Sequence, residues 1–403
     1  MKAGWEIKPL GKVCEIFADG DWVESKDQAP EGIRLIQTGN VGKGLFKDRV
    51  EKARYISAET FKRLRCTEVF EGDCLISRLP DPVGRSAILP DTGERMITAV
   101  DCTIVRFDQK QCLPTFFNYY SQSNDYLNTV SKECTGTTRS RISRSNLALT
   151  PIPIPPVSEQ QRIVTILDQA FASIAMTKAN AEKNLQNSRG LFESHLQSVF
   201  ADAWETGELV TLADLATDIT DGDHMPPPKA PTGVPFITIG NVAKDTRIID
   251  FTNTFMVSRD YFARLKPSKK PMKGDVLYTV TGSFGIPVLL REEKDFCFQR
   301  HIGLVRPKAE VGSEWLYYLL MSPQVLKQAN DGATGTAQKT VSLKVLRGFQ
   351  VPRVPLVLQR VVVTKLKAVS EETQRLESIY QQKLAALEAL KKSLLHQAFS
   401  GEL

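Results

Sequence analysis

Two kinds of hydrophobic pattern alternate along the chain. Apolar or small residues recur at Ile163, Leu167, Ala170, Ile174, Thr177, Ala181, Leu185, Ser188, Phe192, Leu196 and Val199, in steps of four and three. No proline and only one glycine, Gly190, fall within residues 157–200. That spacing predicts a long helix with a pairing seam. A second stripe runs through Val362, Leu366, Val369, Thr373, Leu376, Tyr380, Leu384, Leu387, Leu390 and Leu394. The extended run Pro151–Pro156 precedes the first helix, and Ser158-Glu159-Gln160-Gln161 reads as a capping box with Ser158 as N-cap. The second helix starts near Leu356 and has Val357 where the first has Ser158. Elsewhere the apolar runs are short and β-like: 32–37, 74–77, 102–107, 234–239, 276–280 and 302–306, punctuated by Gly, Pro and Asp. Short helical pieces are predicted over 114–129 and 314–329. They carry Phe116, Phe117, Tyr119, Tyr120 and Trp315, Tyr317, Tyr318, which read as core. The parts outside the long helices are expected to be α+β domains.

The chain repeats itself. Residues 136–200 align with 335–399 at a constant offset and without a gap, with 15 of 65 positions identical. The identities include Ser143/Ser342, Leu147/Leu346, Pro153/Pro352, Gln160/Gln359, Leu167/Leu366 and Phe200/Phe399. Earlier segments match with small shifts. Gly39-Asn40-Val41 answers Gly240-Asn241-Val242, Gly72-Asp73 answers Gly274-Asp275, and Val105-Arg106 answers Val305-Arg306. Each half thus holds a divergent portion followed by a better-matched one. The division expected is a first domain over 1–156, a long helix over 157–202, a second domain over 203–355 and a second long helix over 356–403. A helix of ~43 residues spans ~64 Å and draws most of its stability from packing its apolar face. Two such helices in one chain invite an antiparallel intramolecular pair, a rod with a domain at each end. The alternative is that each helix packs on its own domain.

Composition narrows the function. The chain has 403 residues, 42% hydrophobic and 24% charged, which fits two to four globular domains. No apolar run approaches the ~18–20 residues that cross a bilayer, and the N-terminus has no signal-peptide core. A soluble, cytoplasmic protein is expected. The seven cysteines are scattered, with no C-x-x-C, so neither a disulfide framework nor a structural zinc site is expected. Net charge is +6, spread so evenly that a nucleic-acid footprint would have to be a local patch. There is no glycine-rich cofactor loop with an Asn/Asp-Pro-Pro-aromatic phrase, and no G-x-x-x-x-G-K-[ST]. Met225-Pro226-Pro227-Pro228 reads as a loop. Asp81, Asp91 and Glu94 are the nearest approach to a nuclease carboxylate cluster. No catalytic or metal residue is nominated.

The phrase Gly136–Ile163, its echo Gly335–Val362, the marks Gly39-Asn40-Val41 and Glu71-Gly72-Asp73, and the ending Leu395–Leu403 together resemble the specificity subunits of type I restriction-modification systems. The resemblance covers the full length. It implies two target recognition domains, each reading half of a split DNA site, and a pseudo-two-fold pair of helices that forms a spacer. It also implies docking of two modification (methyltransferase) subunits, with restriction subunits joining that complex, and no membrane. S-adenosylmethionine, ATP and Mg2+ would belong to those partners, with no cofactor in this chain. Val357 and Leu358 depart from Ser158 and Glu159 of the first copy. The rivals are an enzyme that modifies or cleaves DNA alone, and a coiled-coil adaptor that does not touch DNA.

Reading DNA takes Arg, Lys, Asn or Gln on loops that reach base edges or phosphates. The candidates are Arg34, Gln37, Asn40, Arg78, Arg85, Arg139, Arg141 and Arg144 in the first domain. In the second they are Asn241, Lys269, Lys270, Lys273, Gln299, Arg300, His301, Lys339 and Lys344. The cluster Arg139–Arg144 is replaced by Gln338, Thr340 and Leu343 in the other half, as sequence readers would be. It reads equally as a solvated or helix-docking face. Gly39-Asn40 and Gly240-Asn241 read as strand-ending turns or as base readers, and 266–273 as a solvated loop or a phosphate contact. The helices, with zero net charge over 158–200, make poor DNA readers. DNA advances ~34 Å per turn, so two readers held by such a spacer would sit about one turn apart. The site would be two unlike half-sites with an unread gap.

Overall fold

A computed structural model describes residues 4–136, 140–225, 227–336 and 338–403. The chain forms two compact units. The first takes residues up to Glu182 together with Gln381–Leu403, and the second takes Lys183–Tyr380. The long helices run Val157–Thr206 and Leu356–Ser400, so each contributes one part to each unit.

In the first unit a four-stranded antiparallel sheet has the order Cys14–Asp19, Cys102–Phe107, Cys74–Ser77, Ser86–Ile88. A second sheet orders Tyr55–Ile56, Ile33–Ile36, Met96–Thr98 and Glu68–Val69, with the middle pair parallel. Glu6–Pro9 pairs antiparallel with Pro151–Ile154. The extended proline run before the first long helix is therefore an edge strand, a place where missing N–H donors are tolerated.

The second unit repeats this plan. Its main sheet orders Ala216–Asp221, Ile302–Pro307, Val276–Thr279, Pro287–Leu289. Leu209–Thr211 pairs with Gln350–Pro352, and Val234–Ile237 lies between Phe255–Val257 and Cys297–Phe298. Both main sheets carry an irregularity at the same place in the first strand, between Cys14 and Ile16 and between Ala216 and Asp218. The fold class is α+β.

The repeated residues hold equivalent joints. Asp73 is buried and takes a bidentate bond from Arg106 at 2.8 and 2.7 Å plus the Phe70 N–H at 2.9 Å. Asp275 does the same with Arg306, at 2.9 and 2.8 Å, and the Met272 N–H at 2.9 Å. Ser143 caps the helix Arg144–Leu149 and Ser342 caps Leu343–Arg347, each accepting from the N–H three residues on. Leu147 and Leu346, inside those helices, are fully buried.

Gln160 and Gln359 act as clamps. Gln160 accepts the Leu113 N–H at 2.8 Å and donates to Gln111 O at 2.7 Å and Pro155 O at 2.9 Å. Gln359 accepts the Gly312 N–H at 2.7 Å and donates to Glu310 O at 3.2 Å and Val354 O at 2.7 Å. The cap assignment at Ser158 is corrected. The helix starts at Val157, Ser158 lies inside its first turn, and Pro156 O accepts the Glu159 and Gln160 N–H groups at 2.8 and 3.0 Å.

Inside the first unit the two helix parts lie antiparallel. Ile163, Val164 and Leu167 share a core with Leu395, Ala398 and Phe399, and Lys178 bonds Glu388 at 2.8 Å. In the second unit Leu196 and Phe200 share a core with Leu366, and Arg189 lies 3.3 Å from Glu377. Ile163, Leu167, Leu196 and Leu366 are buried, while Ile174, Leu185, Leu376, Leu384, Leu387 and Leu394 are half-buried. Leu390 departs from its expected place and is 47% exposed. After Leu387 the stripe steps by four to Lys391, whose stem is half-buried and whose ammonium stands 4.8 Å over the Phe171 ring.

Each helical piece expected after the sheets is two helices. Pro114–Tyr120 and Asn124–Lys132 lie in the first unit, Ser313–Met321 and Pro323–Gly332 in the second. Ser123 and Ser322 cap the second member of each pair. Phe116, Phe117, Tyr120, Trp315 and Tyr318 are buried in the two cores, and Tyr119 and Tyr317 pack against them.

Candidate nucleic-acid interface

Both units bring the same backbone segments together at one end of the main sheet. In the first, the Arg78 N–H donates to Asp101 O at 2.9 Å, the Ile142 N–H to Arg78 O at 3.3 Å and the Asp21 N–H to Thr98 O at 2.7 Å. In the second, the Val280 N–H donates to His301 O at 2.9 Å, the Val341 N–H to Val280 O at 2.8 Å and the Asp223 N–H to Phe298 O at 2.8 Å. The close approach behind this junction requires glycine. A Cβ at Gly20 would stand 2.3 Å from Ala99 O, and one at Gly222 would stand 1.8 Å from Phe298 O.

On this shared scaffold the side chains differ. In the first unit Arg78 lies 3.2 Å from Asp19 and donates to Val100 O at 2.6 Å, Arg141 pairs with Asp101 at 2.9 Å, and Arg144 lies 3.9 Å from Asp19. Arg78 is buried; Arg141 and Arg144 are exposed beside it. Arg139 lies outside the described residues. In the second unit Val280, Thr340 and Leu343 hold the corresponding places, and His301 replaces Asp101. Gln299, Arg300 and His301 form the turn there, with the Arg300 N–H on Asp223 O at 3.0 Å and the Gly282 N–H on Lys339 O at 3.0 Å. Arg300 and Lys339 are exposed and have no ion pair among the described residues. Burial and the neighbouring Arg300 hold the His301 pKa below its ordinary value, which favours the neutral imidazole. Lys269 is tied back to Gly222 O at 3.1 Å and Lys270 to Ala263 O at 2.8 Å, whereas Lys273 and Lys344 stand exposed.

Four further nominated readers are, like the buried Arg78, committed to the scaffold. Arg34 is 3% exposed, pairs with Glu94 at 2.8 Å and bonds Asp48. Arg85 is 7% exposed and donates to the carbonyls of Val41, Leu79, Pro82 and Thr38 at 2.6–2.9 Å. Asn40 accepts the Gln37 N–H and donates to Lys47 O, both at 2.9 Å. Asn241 accepts the Thr238 N–H at 2.9 Å and donates to Asn253 O at 3.1 Å. Buried polar groups must find internal partners, and these have. The Gly-Asn phrases are therefore turns.

Gln37, by contrast, opens onto a cleft of about 390 Å³ that it lines with Gly39, Asn40, Arg49, Lys52 and Arg54. The three cations were missed by sequence reasoning. The signal was present in Lys47-Asp48-Arg49-Val50-Glu51-Lys52-Ala53-Arg54, but the interleaved acids masked it.

Asp21, at the edge of the junction, carries a testable charge effect. Its carboxylate accepts the Thr67 N–H at 3.1 Å. Burial raises its pKa from 3.8 to about 6, opposed by the Thr67 and Cys66 hydrogen bonds. The folded unit thus binds this proton more tightly than the unfolded chain. The group's contribution to stability falls as pH rises from 3.8 to about 6 and stays unfavourable above that. Because the side chain is only half-buried, Asp21→Asn is expected to stabilise by ~1 kcal/mol at pH 7.5 and by much less at pH 4.5, read by urea unfolding. An equal effect at both pH values would contradict this assignment.

The model of the type I restriction modification DNA specificity domain matches residues 2–187 and again 202–388. The EcoBI specificity subunit of Escherichia coli is 22% identical over 315 residues, a match spanning 71% of this chain and 65% of that protein. The EcoKI specificity subunit of Escherichia coli K12 is 23% identical over 441 residues, 100% of this chain and 90% of that protein. A chain from a solved type I restriction-modification system, studied for its complex assembly and conformational transition, superposes with a TM-score of 0.81 at 20% identity, covering 100% of this chain and 99% of that one. The HsdS subunit of Thermoanaerobacter tengcongensis gives 0.62 at 20% identity, covering 100% and 98%. At that identity the structural likeness speaks for the fold. With two copies of the domain model spanning most of its length, the chain belongs to the type I restriction-modification DNA specificity family.

Proposed function

We propose that this chain is the sequence-specific DNA-binding subunit of a type I restriction-modification complex, each half reading one part of an asymmetric bipartite site. One observation carries the reading. The same backbone junction recurs in both units, with Arg78, Asp101, Arg141 and Arg144 in one and Val280, His301, Thr340 and Leu343 in the other. A common scaffold with unlike side chains is what two readers of different sequences require.

The two long helices form an antiparallel coiled-coil spacer in this proposal, a pseudo-two-fold arrangement that fixes the unread gap. The antiparallel packing of helix parts within each unit supports it. Two methyltransferase subunits dock on the chain, and restriction subunits join through them. S-adenosylmethionine, ATP and Mg2+ act on those partners, and this chain itself is non-catalytic. Phosphate contacts release counterions, so affinity for duplex DNA should fall steeply as salt rises. A flat salt response would favour a structural adaptor. Turnover by the purified chain with DNA, Mg2+ and S-adenosylmethionine, without partners, would favour a stand-alone enzyme.

A further inference from the structure

We infer that the cleft beside Gly39 in the first unit is a phosphate clamp for the DNA backbone, built on a loop whose counterpart in the second unit carries no cation. The inference rests on the DNA-binding reading and goes beyond it by assigning residues and an asymmetry between the halves. Arg49 is half-buried and Lys52 and Arg54 are exposed, and none of the three has a hydrogen-bonded or ionic side-chain partner among the described residues. The nearby Asp48 and Glu94 are both held by Arg34, and Glu51 does not line the cleft. The cleft floor is rigid. Asn40 locks its turn through Gln37 and Lys47, and the Arg49 guanidinium lies so close to Gly39 that a Cβ there would stand 2.4 Å from Nη1.

Three unpaired cations around a concave polar surface of about 390 Å³ suit a phosphodiester oxygen pair better than a base edge. Asn40, the one buried amide that could read a base, has both its side-chain groups occupied.

The strand registers and the turn hydrogen bonds relate this loop to the second unit. Ile33 faces Ile56 as Val234 faces Val257, so Arg54 corresponds to Phe255, whereas the Asn40 and Asn241 carbonyls accept from the Lys47 and Asp250 N–H groups, so Asp250 stands where Lys47 does and the loop between is two residues shorter in the second unit. There Phe255 stacks on Phe236 with ring centroids 4.8 Å apart, and Asp250 accepts from Thr252 and Asn253. No lysine or arginine falls between Asp250 and Val257, and the Lys229 ammonium lies 5.4 Å from the Phe255 ring centroid. The loop that carries three cations is therefore particular to the first unit.

The test uses the full chain and a mixed-sequence DNA duplex, with affinity measured by fluorescence anisotropy from 50 to 300 mM NaCl. The Arg49→Ala/Lys52→Ala/Arg54→Ala variant should lower the magnitude of the salt slope by roughly two to three and weaken binding more than ~tenfold at ~0.1 M salt. The loss should be equal for all sequences tested. Gly39→Ala, which displaces only the flexible end of Arg49, gives a smaller loss of the same kind, and circular dichroism shows both variants folded. Asp250→Ala/Asn253→Ala should leave the slope unchanged. An unchanged slope in the folded triple variant overturns the clamp while DNA binding by the unaltered chain stands. A loss confined to particular sequences overturns it in favour of base reading. Absence of salt-dependent binding by the unaltered chain overturns the DNA-binding reading itself.

Discussion

Replacing Asp73 with alanine is expected to destabilise the first unit by about 3 kcal/mol, because it removes a buried carboxylate with three hydrogen bonds and leaves the half-buried Arg106 unpaired. Asp73 is 3% exposed and joins the second central strand to the loop before the third through three hydrogen bonds. A unit of ordinary stability has only ~5–15 kcal/mol to lose. The equivalent change, Asp275→Ala, should act on the second unit through Arg306. Each unit has its own main core, one built on Phe116, Phe117 and Tyr126 and the other on Trp315, Phe200 and Phe349. The two variants should therefore impair recognition of different half-sites. Urea unfolding followed by footprinting on a two-part site checks both points. A loss below ~1 kcal/mol, or damage to both half-sites by either variant, would contradict the account.

Shortening the helices should have a comparably large effect on recognition. Removing seven residues from each long helix, one within 176–190 and one at the matching level of the other, deletes one heptad and keeps the apolar seam in register. At 1.5 Å per residue the spacer loses ~10 Å, which is about three base pairs of DNA. The gap in the recognised site should contract by that amount, with the half-sites unchanged. Deleting four residues within 176–190 of the first helix alone removes about one turn, ~6 Å, from one helix and leaves it mismatched in length against the other. The change should shift the gap or abolish assembly with methyltransferase subunits. Selection of active sites from a library of gap lengths reads both outcomes. An unchanged gap with full activity would rule out the spacer role.

Why some of this was legible in the sequence and some not follows from the kind of interaction involved. The long helices announce themselves because a helix that packs along its length must repeat its apolar side every three or four residues. Leu390 misled because it satisfies the same arithmetic; only the packing of Lys391 over Phe171 shows which step the helix takes. The repeat was visible because both units need the same joints: Ser143 and Ser342 as caps, Gln160 and Gln359 as clamps, Asp73 with Arg106 and Asp275 with Arg306. What those residues do was not visible, since a glutamine that bridges three backbone groups looks like any helix glutamine. Arg34 and Arg85 were nominated as readers because residue type says nothing about direction, and here both turn inward. Arg49, Lys52 and Arg54 were passed over because the interleaved Asp48 and Glu51 halve the net charge of the stretch until Asp48 is seen to belong to Arg34.

The most direct test of the central claim is base-resolution methylation mapping of DNA in cells that carry this chain with its methyltransferase partner. The account predicts one asymmetric motif, two different short half-sites separated by a fixed unread gap of several base pairs. Methylation at a single uninterrupted palindrome, or at two identical half-sites, would contradict it.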